Sequence, residues 1–423
     1  MVHIGCGTWQ YSKSGAFITA MVCLQFINYR FWWATYAAII TALTILLPLF
    51  PRLANHSNLE VFICIISIGM LLAKLLFKLK LPRPHTVNLT FRLFLITIYF
   101  IAGFHKLNSG FFNADGSCSA TIGATFNQML YGGDFRFPPV VTKGFQLFTF
   151  FIEMVVPFGL LFKRFRTACV VLLACFHFYL SLYGFANFSA FAAFLITGSI
   201  LNLEQALPAG VLKGLRYYIL FCVPAVVGCY VISRFNLGGI GEIKVYCGVV
   251  FNVGWVIYFY YLLRYNTATT LHFTFSWWQP ATVVLAGMWG LQCYAGLSTA
   301  GTLSMFSNLI TLKGRSNHYL IDTNKTKIWD FEEDNVTIIE IPNKCTWNNG
   351  KPLKGYILPT IEFKSSVKKW SARYNEALPC TLVYKGRKLF IPDLRTSQFN
   401  KTEWWYRYLY YRRIPVEGNE CQW

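Results

Sequence analysis

Blocks of 16 to 20 apolar residues recur from residue 31 to about residue 297, and this recurrence limits the fold more sharply than any other feature of the sequence. At ~1.5 Å of rise per residue, each block as a helix approaches the ~30 Å hydrocarbon thickness of a bilayer. In lipid every backbone amide has to be bonded inside the protein, which makes the helix the form such a block takes. Nine spans follow, at about 31–50, 61–79, 89–107, 145–162, 167–185, 188–203, 217–233, 245–263 and 280–297; the sixth is short and the ninth carries Gly and Gln. The expected fold is an all-α polytopic membrane bundle of about nine transmembrane helices, followed by a small external α+β C-terminal domain.

Composition excludes the obvious alternatives. Apolar residues make up 55% of the 423 and charged residues only 13%, against about one-quarter charged in a soluble globular protein. A cytosolic enzyme is excluded on that balance. The net charge of +20 would suit a nucleic-acid binder, but +13 of it falls in 1–297, between the spans, and +7 in 298–423. No nucleic-acid partner is expected. With nine spans, the N-terminus and the connections at 74–92, 163–166, 204–216 and 264–279 hold thirteen basic residues, and those at 51–60, 106–144 and 234–244 hold six. The positive-inside rule then places the N-terminus in the cytoplasm and the C-terminus outside, in a periplasm or an organelle lumen.

Three regions follow: an N-terminal segment 1–30 with an interfacial helix, the bundle 31–297 and the external domain 298–423. The apolar stretch Phe17–Ile27 is flanked by Tyr29 and Arg30 rather than by small residues, which argues for an interfacial helix over a cleaved signal peptide. The 108–144 connection is long and contains Gly, Asn and Pro, as expected of a lid or a site-forming segment. In the tail, Phe363, Val367, Trp370 and Tyr374 recur at helical spacing. Thr381–Tyr384 and Lys388–Ile391, joined through Lys385-Gly386-Arg387, read as a hairpin. The aromatic and basic run from Trp404 to Arg413 suits either a lipid headgroup interface or a core strand.

The thirteen cysteines contain no Cys-x-x-Cys pair, and no metal site is expected. Most lie inside apolar runs and read as small core residues. Cys118, Cys345, Cys380 and Cys421 lie outside the spans and are available for disulfides in an oxidising compartment, in a pairing that sequence leaves open. Asn324, Asn335 and Asn400 each begin an Asn-x-Thr triplet, which matters only in a eukaryotic secretory compartment.

An ionisable side chain inside a span is costly, so each one is a functional candidate. Glu153 is the only acidic residue within any of the nine spans, and His177 is central in the next one. Four residues join those two spans, so the helices are antiparallel neighbours and the two side chains lie at similar depth. They can form a proton relay or site wall, or simply a buried pair that orders the bundle. Lys106 sits toward the outer end of the run Leu93–Phe112, only ~5 Å from its midpoint if the whole run is embedded. Desolvation disfavours an ammonium, so a lysine at this depth can act as a base; the alternative is a lysine that snorkels to water. His105 is on another helix face and reads as interfacial. His318 closes a polar segment from Leu303 that can line a site facing the 108–144 loop, or can be ordinary turn chemistry. Nucleotide-binding glycine loops and His-Glu-x-x-His are both missing.

The string Phe100-Ile101-Ala102-Gly103-Phe104-His105-Lys106-Leu107 resembles the Phe-Ile-Ala-Gly-Val-Lys-Lys-Leu segment of the vitamin K-dependent gamma-glutamyl carboxylases, within the wider horizontally transferred transmembrane (HTTM) domain family. Glu153 to Phe165, Phe176-His177 with Gly184 to Phe188, Met305 to His318, the 363–374 helix and the hairpin after it are similar to family segments in the same order. The resemblance covers most of 89–413 and is strongest at 99–107 and 176–189. It implies that Lys106 is the catalytic base, with His105, Glu153, His177 and His318 around the site. The implied cofactor is a reduced naphthoquinone of the vitamin K type, with O2 and CO2 as co-substrates. Implied partners are membrane lipid, the isoprenoid quinone and a protein or peptide substrate. Departures are as specific. His105 stands where the family has its first lysine, and the family's Asn-His pair ahead of this helix has no counterpart among residues 64–92. The family's long propeptide-holding region is not matched, so the base is carried over further than the substrate.

Overall fold

The computed structural model describes residues 13–27, 31–78, 84–113, 116–131, 136–182, 186–201, 209–210, 212–217, 220, 253–264, 278–347 and 350–421. Among the described residues, five stretches are long and apolar enough to cross a membrane: Trp32–Leu49, Asn55–Phe77, Thr86–His105, Pro139–Leu161 and Lys163–Ser181. They coincide with the first five expected spans and make this a membrane protein. The sixth expected span is a shorter apolar helix, Phe188–Ile200. The ninth is a helix, Trp278–Ala295, that is not among the five. Of the remaining two, 217–233 lies almost wholly outside the described residues, and 245–263 is described only from residue 253, where 253–264 is helical. The N-terminal segment contains the helix Lys13–Ile27.

The chain divides into two compact units that are interleaved in sequence. The first comprises Met1–Pro48, Leu59–Phe100 and Phe151–Ala286; the second comprises Leu49–Asn58, Ile101–Phe150 and Gly287–Trp423.

The first unit is almost wholly helical where it is described, with a core that includes Leu95, Leu173, Leu195 and Ile196. Its helices are apolar nearly all round, as befits elements that face either one another or lipid. The helix Pro84–His105 opens on proline, whose missing N–H costs nothing in a first turn. Asn88 from this helix donates to the carbonyls of Gly198 (2.6 Å) and Leu201 (2.8 Å), at the C-terminal end of the helix Ala186–Ile200. Gly198 is required there, since a Cβ would come within 2.7 Å of the Phe91 ring.

The second unit contains a five-stranded antiparallel sheet of order β4-β3-β1-β2-β5, in which β1 is Asn335–Glu340, β2 Tyr356–Pro359, β3 Cys380–Tyr384, β4 Arg387–Ile391 and β5 Ile414–Pro415. The expected hairpin is β3-β4. Lys385 and Gly386 both take positive φ (50° and 74°), the two-residue turn whose twist matches that of its strands. The expected amphipathic helix is Thr360–Arg373; Phe363, Val367 and Trp370 are buried in one core with Val336, Ile338, Leu358 and Leu382. The Trp404–Arg413 run divides. Trp404–Tyr408 is a short 3-10 helix with Trp404 exposed, whereas Leu409 to Ile414 are buried. Arg412 and Arg413 are therefore interior cations rather than headgroup anchors. Arg52 reaches the same unit's tail helix, pairing with Glu362 at 2.7 Å and donating to Leu409 O at 3.0 Å.

Candidate functional site

Lys106 lies one residue past the helix Pro84–His105, in a turn closed by Lys106 N–H to Gly103 O and Leu107 N–H to Phe104 O, each 3.0 Å. Its side chain folds back instead of extending: it is 2% exposed, Nζ is 3.4 Å from Ala102 O, and Nζ stands 5.9 Å from the centre of the Phe111 ring. Phe111 is held in place by Asn108, which makes three bonds at once. Its Oδ1 accepts from Phe111 N (2.7 Å), capping the short helix Ser109–Phe112, and its Nδ2 donates to His105 O (2.7 Å) and Ser307 O (2.6 Å). Asn108 thus closes the helix that delivers Lys106 and opens the turn that supplies the aromatic face.

Two histidines flank this turn in the second unit. A carbonyl can only accept, so the 3.1 Å contact of His105 Nε2 with Gly290 O puts the ring proton on Nε2, and Nδ1 accepts from the Tyr294 hydroxyl at 2.9 Å. His318 is arranged alike: Nε2 donates to Phe104 O at 3.0 Å, and Nδ1 accepts from the N–H groups of Leu320 (3.1 Å) and Ile321 (3.0 Å). Burial holds the His318 imidazole below its ordinary pKa, against the opposing effect of its bond to Phe104. Both rings are neutral posts with their nitrogens engaged. The rings of Phe104, Tyr294 and His318 stand 4.8–6.0 Å apart and form an aromatic collar.

The polar segment after residue 297 meets the start of the 108–144 loop, as a knot and not as an open wall. Asn308 accepts from Cys118 N (2.8 Å) and donates to Gly116 O (2.8 Å) and Asn419 Oδ1 (3.2 Å), while Asn419 Nδ2 donates to Gly110 O (2.6 Å). Beside these bonds Cys118 and Cys421 form a disulfide across 303 residues, and Cys345 and Cys380 remain buried thiols. Leu303, Phe306 and Asn308 all have positive φ, a conformation that persists where surrounding bonds over-determine it; here Asn55 Oδ1 accepts from Leu303 N at 2.6 Å. Arg412 donates to the Ser304 carbonyl and hydroxyl, and burial lowers its guanidinium to about 10. A polar cavity of about 20 Å³ beside Arg412, Glu332 and Asn308 has room for about one water.

Glu153 and His177 belong to the first unit. His177 bonds through Nε2 to the hydroxyl of Tyr99, and Tyr99 is also within electrostatic reach of Glu153. The tyrosine is the group that sequence reasoning missed. Its helix is the one that ends at His105, and nothing local to Tyr99 distinguishes it from other interior aromatics. Trp255 stacks on His177 at 6.2 Å and Phe188 lies 5.0 Å away. Tyr294 was missed for the same reason, and Arg412 was read only as part of the aromatic and basic run from Trp404 to Arg413. Among the described residues no group of three His, Cys, Asp or Glu is placed to hold a metal ion.

The structure thus brings His105, Lys106 and His318 together in one unit; in the other, His177 bonds to Tyr99, which lies within electrostatic reach of Glu153. Compared with protein-family models, with curated proteins and with solved structures, the chain matches none.

Proposed function

We propose that this chain is a carboxylase-like membrane enzyme of the HTTM type, in which Lys106 is the base toward a reduced isoprenoid naphthoquinone and O2 and CO2 are co-substrates. The observation that carries the proposal is the placement of Lys106 at the end of a membrane-length helix, buried against a backbone carbonyl and an aromatic face. A snorkelling lysine needs its tip in water, and this one is folded inward. Its inward position supports the reading in which Nζ acts on a group inside the protein. Asn108 and Phe111 set the direction of the amine, and His105 and His318 brace the turn with their nitrogens already bonded. When bound, the hydroquinone would supply the driving reaction: its oxidation by one O2 to the epoxide and one water is coupled to replacement of an acceptor C–H hydrogen by CO2, with release of one proton. The acceptor is a protein, a peptide or another carbon acid.

Sidedness belongs to the same proposal. Of the connections that the basic asymmetry assigns to the outer side, 106–144, most of 51–60 and the tail from 298 belong to the second unit, while 234–244 lies outside the described residues. The Cys118–Cys421 disulfide in that unit supports an oxidising compartment, a periplasm or organelle lumen.

Purified protein supplied with a reduced naphthoquinone, O2 and bicarbonate should consume oxygen and form epoxide. Lys106→Ala should abolish turnover with thermal stability nearly unchanged. Lys106→Arg should fail as well, because guanidinium keeps its proton under working conditions. An active Lys106→Arg protein would remove the base assignment. The second reading is a non-enzymatic membrane protein that binds lipid or quinone, or an assembly factor on the same fold; an apolar cavity of about 300 Å³ in the first unit favours it. No epoxide from well-folded wild-type protein would select it.

A further inference from the structure

The first unit buries two arginines close together. Arg166, in the first turn of the helix Lys163–Leu182, is 3% exposed; its Nε donates to Leu160 O at 3.2 Å, but Nη1 and Nη2 are buried without a hydrogen-bond partner. Arg92 is 5% exposed, its Nε donates to Ser199 O at 2.5 Å, and it lies within electrostatic range of Arg166. Among the described residues no carboxylate pairs with either. The C-terminal end of the helix Ala186–Ile200 suits one cation, which accounts for Arg92 and leaves Arg166 unexplained. Two like charges in a low-dielectric interior repel, and the unmet donors of a buried guanidinium are expensive. Something negative is required, with oxygens spaced for a guanidinium fork.

The helix that carries Arg92 also lines an apolar cavity. Its volume is about 300 Å³, and its walls include Met70, Phe91, Phe94 and Ala286. The hydroxyls of Ser67 and Thr90 in its lining are already bonded to Ile63 O and Thr86 O, each at 2.8 Å. Water needs two to four polar partners, and these walls provide few, so a hydrocarbon is the fitting occupant. The cavity wall and Arg92 share one contact between helices. Phe91 packs on Gly198, and the next residue, Arg92, bonds to the next residue, Ser199.

We propose that Arg92, Arg166 and this cavity form a binding site for an anionic membrane lipid, with the headgroup phosphate on the two guanidinium groups and one hydrocarbon chain in the cavity. Lys163 and Arg164, next to Arg166 in sequence, add to the positive field that draws an anionic headgroup to such a pocket between membrane helices. A neutral quinone brings carbonyl acceptors but no negative charge to offset two guanidinium groups. The site is therefore separate from the chemistry proposed for Lys106 and does not depend on it.

Delipidated protein in neutral detergent tests this by its melting temperature on addition of phosphatidylglycerol, phosphatidylcholine or inorganic phosphate. Phosphatidylglycerol should raise it by several degrees and phosphatidylcholine hardly at all. Arg166→Leu and Arg92→Gln should each remove that difference; if Arg166→Leu does not fold, Arg166→Lys, which keeps the charge and loses the fork, should weaken it. A phosphatidylglycerol with a photoreactive group in its acyl chain should label Met70 or Phe94, and Ala286→Phe should cut that labelling by roughly an order of magnitude while labelling of the exposed Leu76 persists. Equal protection by both lipids, or a preference that survives Arg166→Leu, would show that only water satisfies the arginine and would overturn the proposal. Protection by inorganic phosphate equal to that by the lipid would overturn the lipid assignment. Lys106→Ala should label and respond like wild type, so a failure here is distinct from a failure of the enzyme reading.

Discussion

The helix contacts of the first unit and the Asn108–Asn308 network of the second treat buried polar groups differently. In the second, His105, Asn108, Asn308 and His318 have their donors and acceptors met at 2.6–3.3 Å, largely by backbone groups, and a disulfide ties the ends of the network together. In the first, helices meet through side-chain packing such as Phe91 on Gly198, and the polar groups are few; Nδ1 of His177 and the terminal nitrogens of Arg166 have no hydrogen-bond partner among the described residues. The contrast follows from the chain. Residues 296–318 are irregular backbone, and irregular backbone must find partners for each buried N–H and C=O, whereas helices satisfy their own and leave only side chains to arrange.

If that contrast is right, the second unit should be the more sensitive to loss of single bonds. The largest effect is expected from Cys421→Ser. It removes a link across 303 residues, and stability of the second unit should drop by about 4 kcal/mol in denaturant titration, with tail residues 416–421 becoming open to proteolysis. Equal loss in both units would mean that the knot is not local. Asn108→Ala should cost about 3 kcal/mol, since it strands His105 O, Ser307 O and Phe111 N in the interior. Asn108→Asp, which keeps the cap and loses the two donors, should fall between.

The first unit should respond to volume instead. Gly198→Ala places a methyl 2.7 Å from the Phe91 ring and should lower the melting temperature by the equivalent of about 2 kcal/mol. Phe91→Leu in the same chain should recover part of the loss; no recovery would put the strain elsewhere. The smallest effect is on pH. The folded His318 pKa lies below its unfolded value, so its contribution is complete above about pH 6.5 and is lost as pH falls toward the folded value. Protonation would place a hydrogen on Nδ1 and break the bonds from Leu320 and Ile321. The second unit should therefore soften first on acidification, as read by hydrogen exchange at residues 318–321, and His318→Gln should flatten that dependence.

Much of the architecture was legible in the residues because its signals are local. Apolar length located the first five spans, helical spacing found Phe363, Val367 and Trp370, and Lys385-Gly386 marked the hairpin turn. Lys106 stood out for the same reason, as a charge in an apolar run. The sixth expected span is short in the sequence, and its described helix, Ala186–Ile200, has 15 residues.

What tertiary structure alone decided is which distant residues meet. Four cysteines outside the spans allowed several pairings, and only the approach of the tail to the 108–118 turn selected Cys118 with Cys421. Equal depth put Glu153 and His177 on adjacent helices, but it is Tyr99, from a helix far from both in sequence, that bonds to the histidine. Arg92 read as one more cytoplasmic charge, and its nearness to Arg166 depends on how helices separated by tens of residues pack. Hydropathy and periodicity are properties of neighbours along the chain and can be read there. The partner of a buried polar group is set by loop closure and packing across long separations, and no short window of sequence contains it.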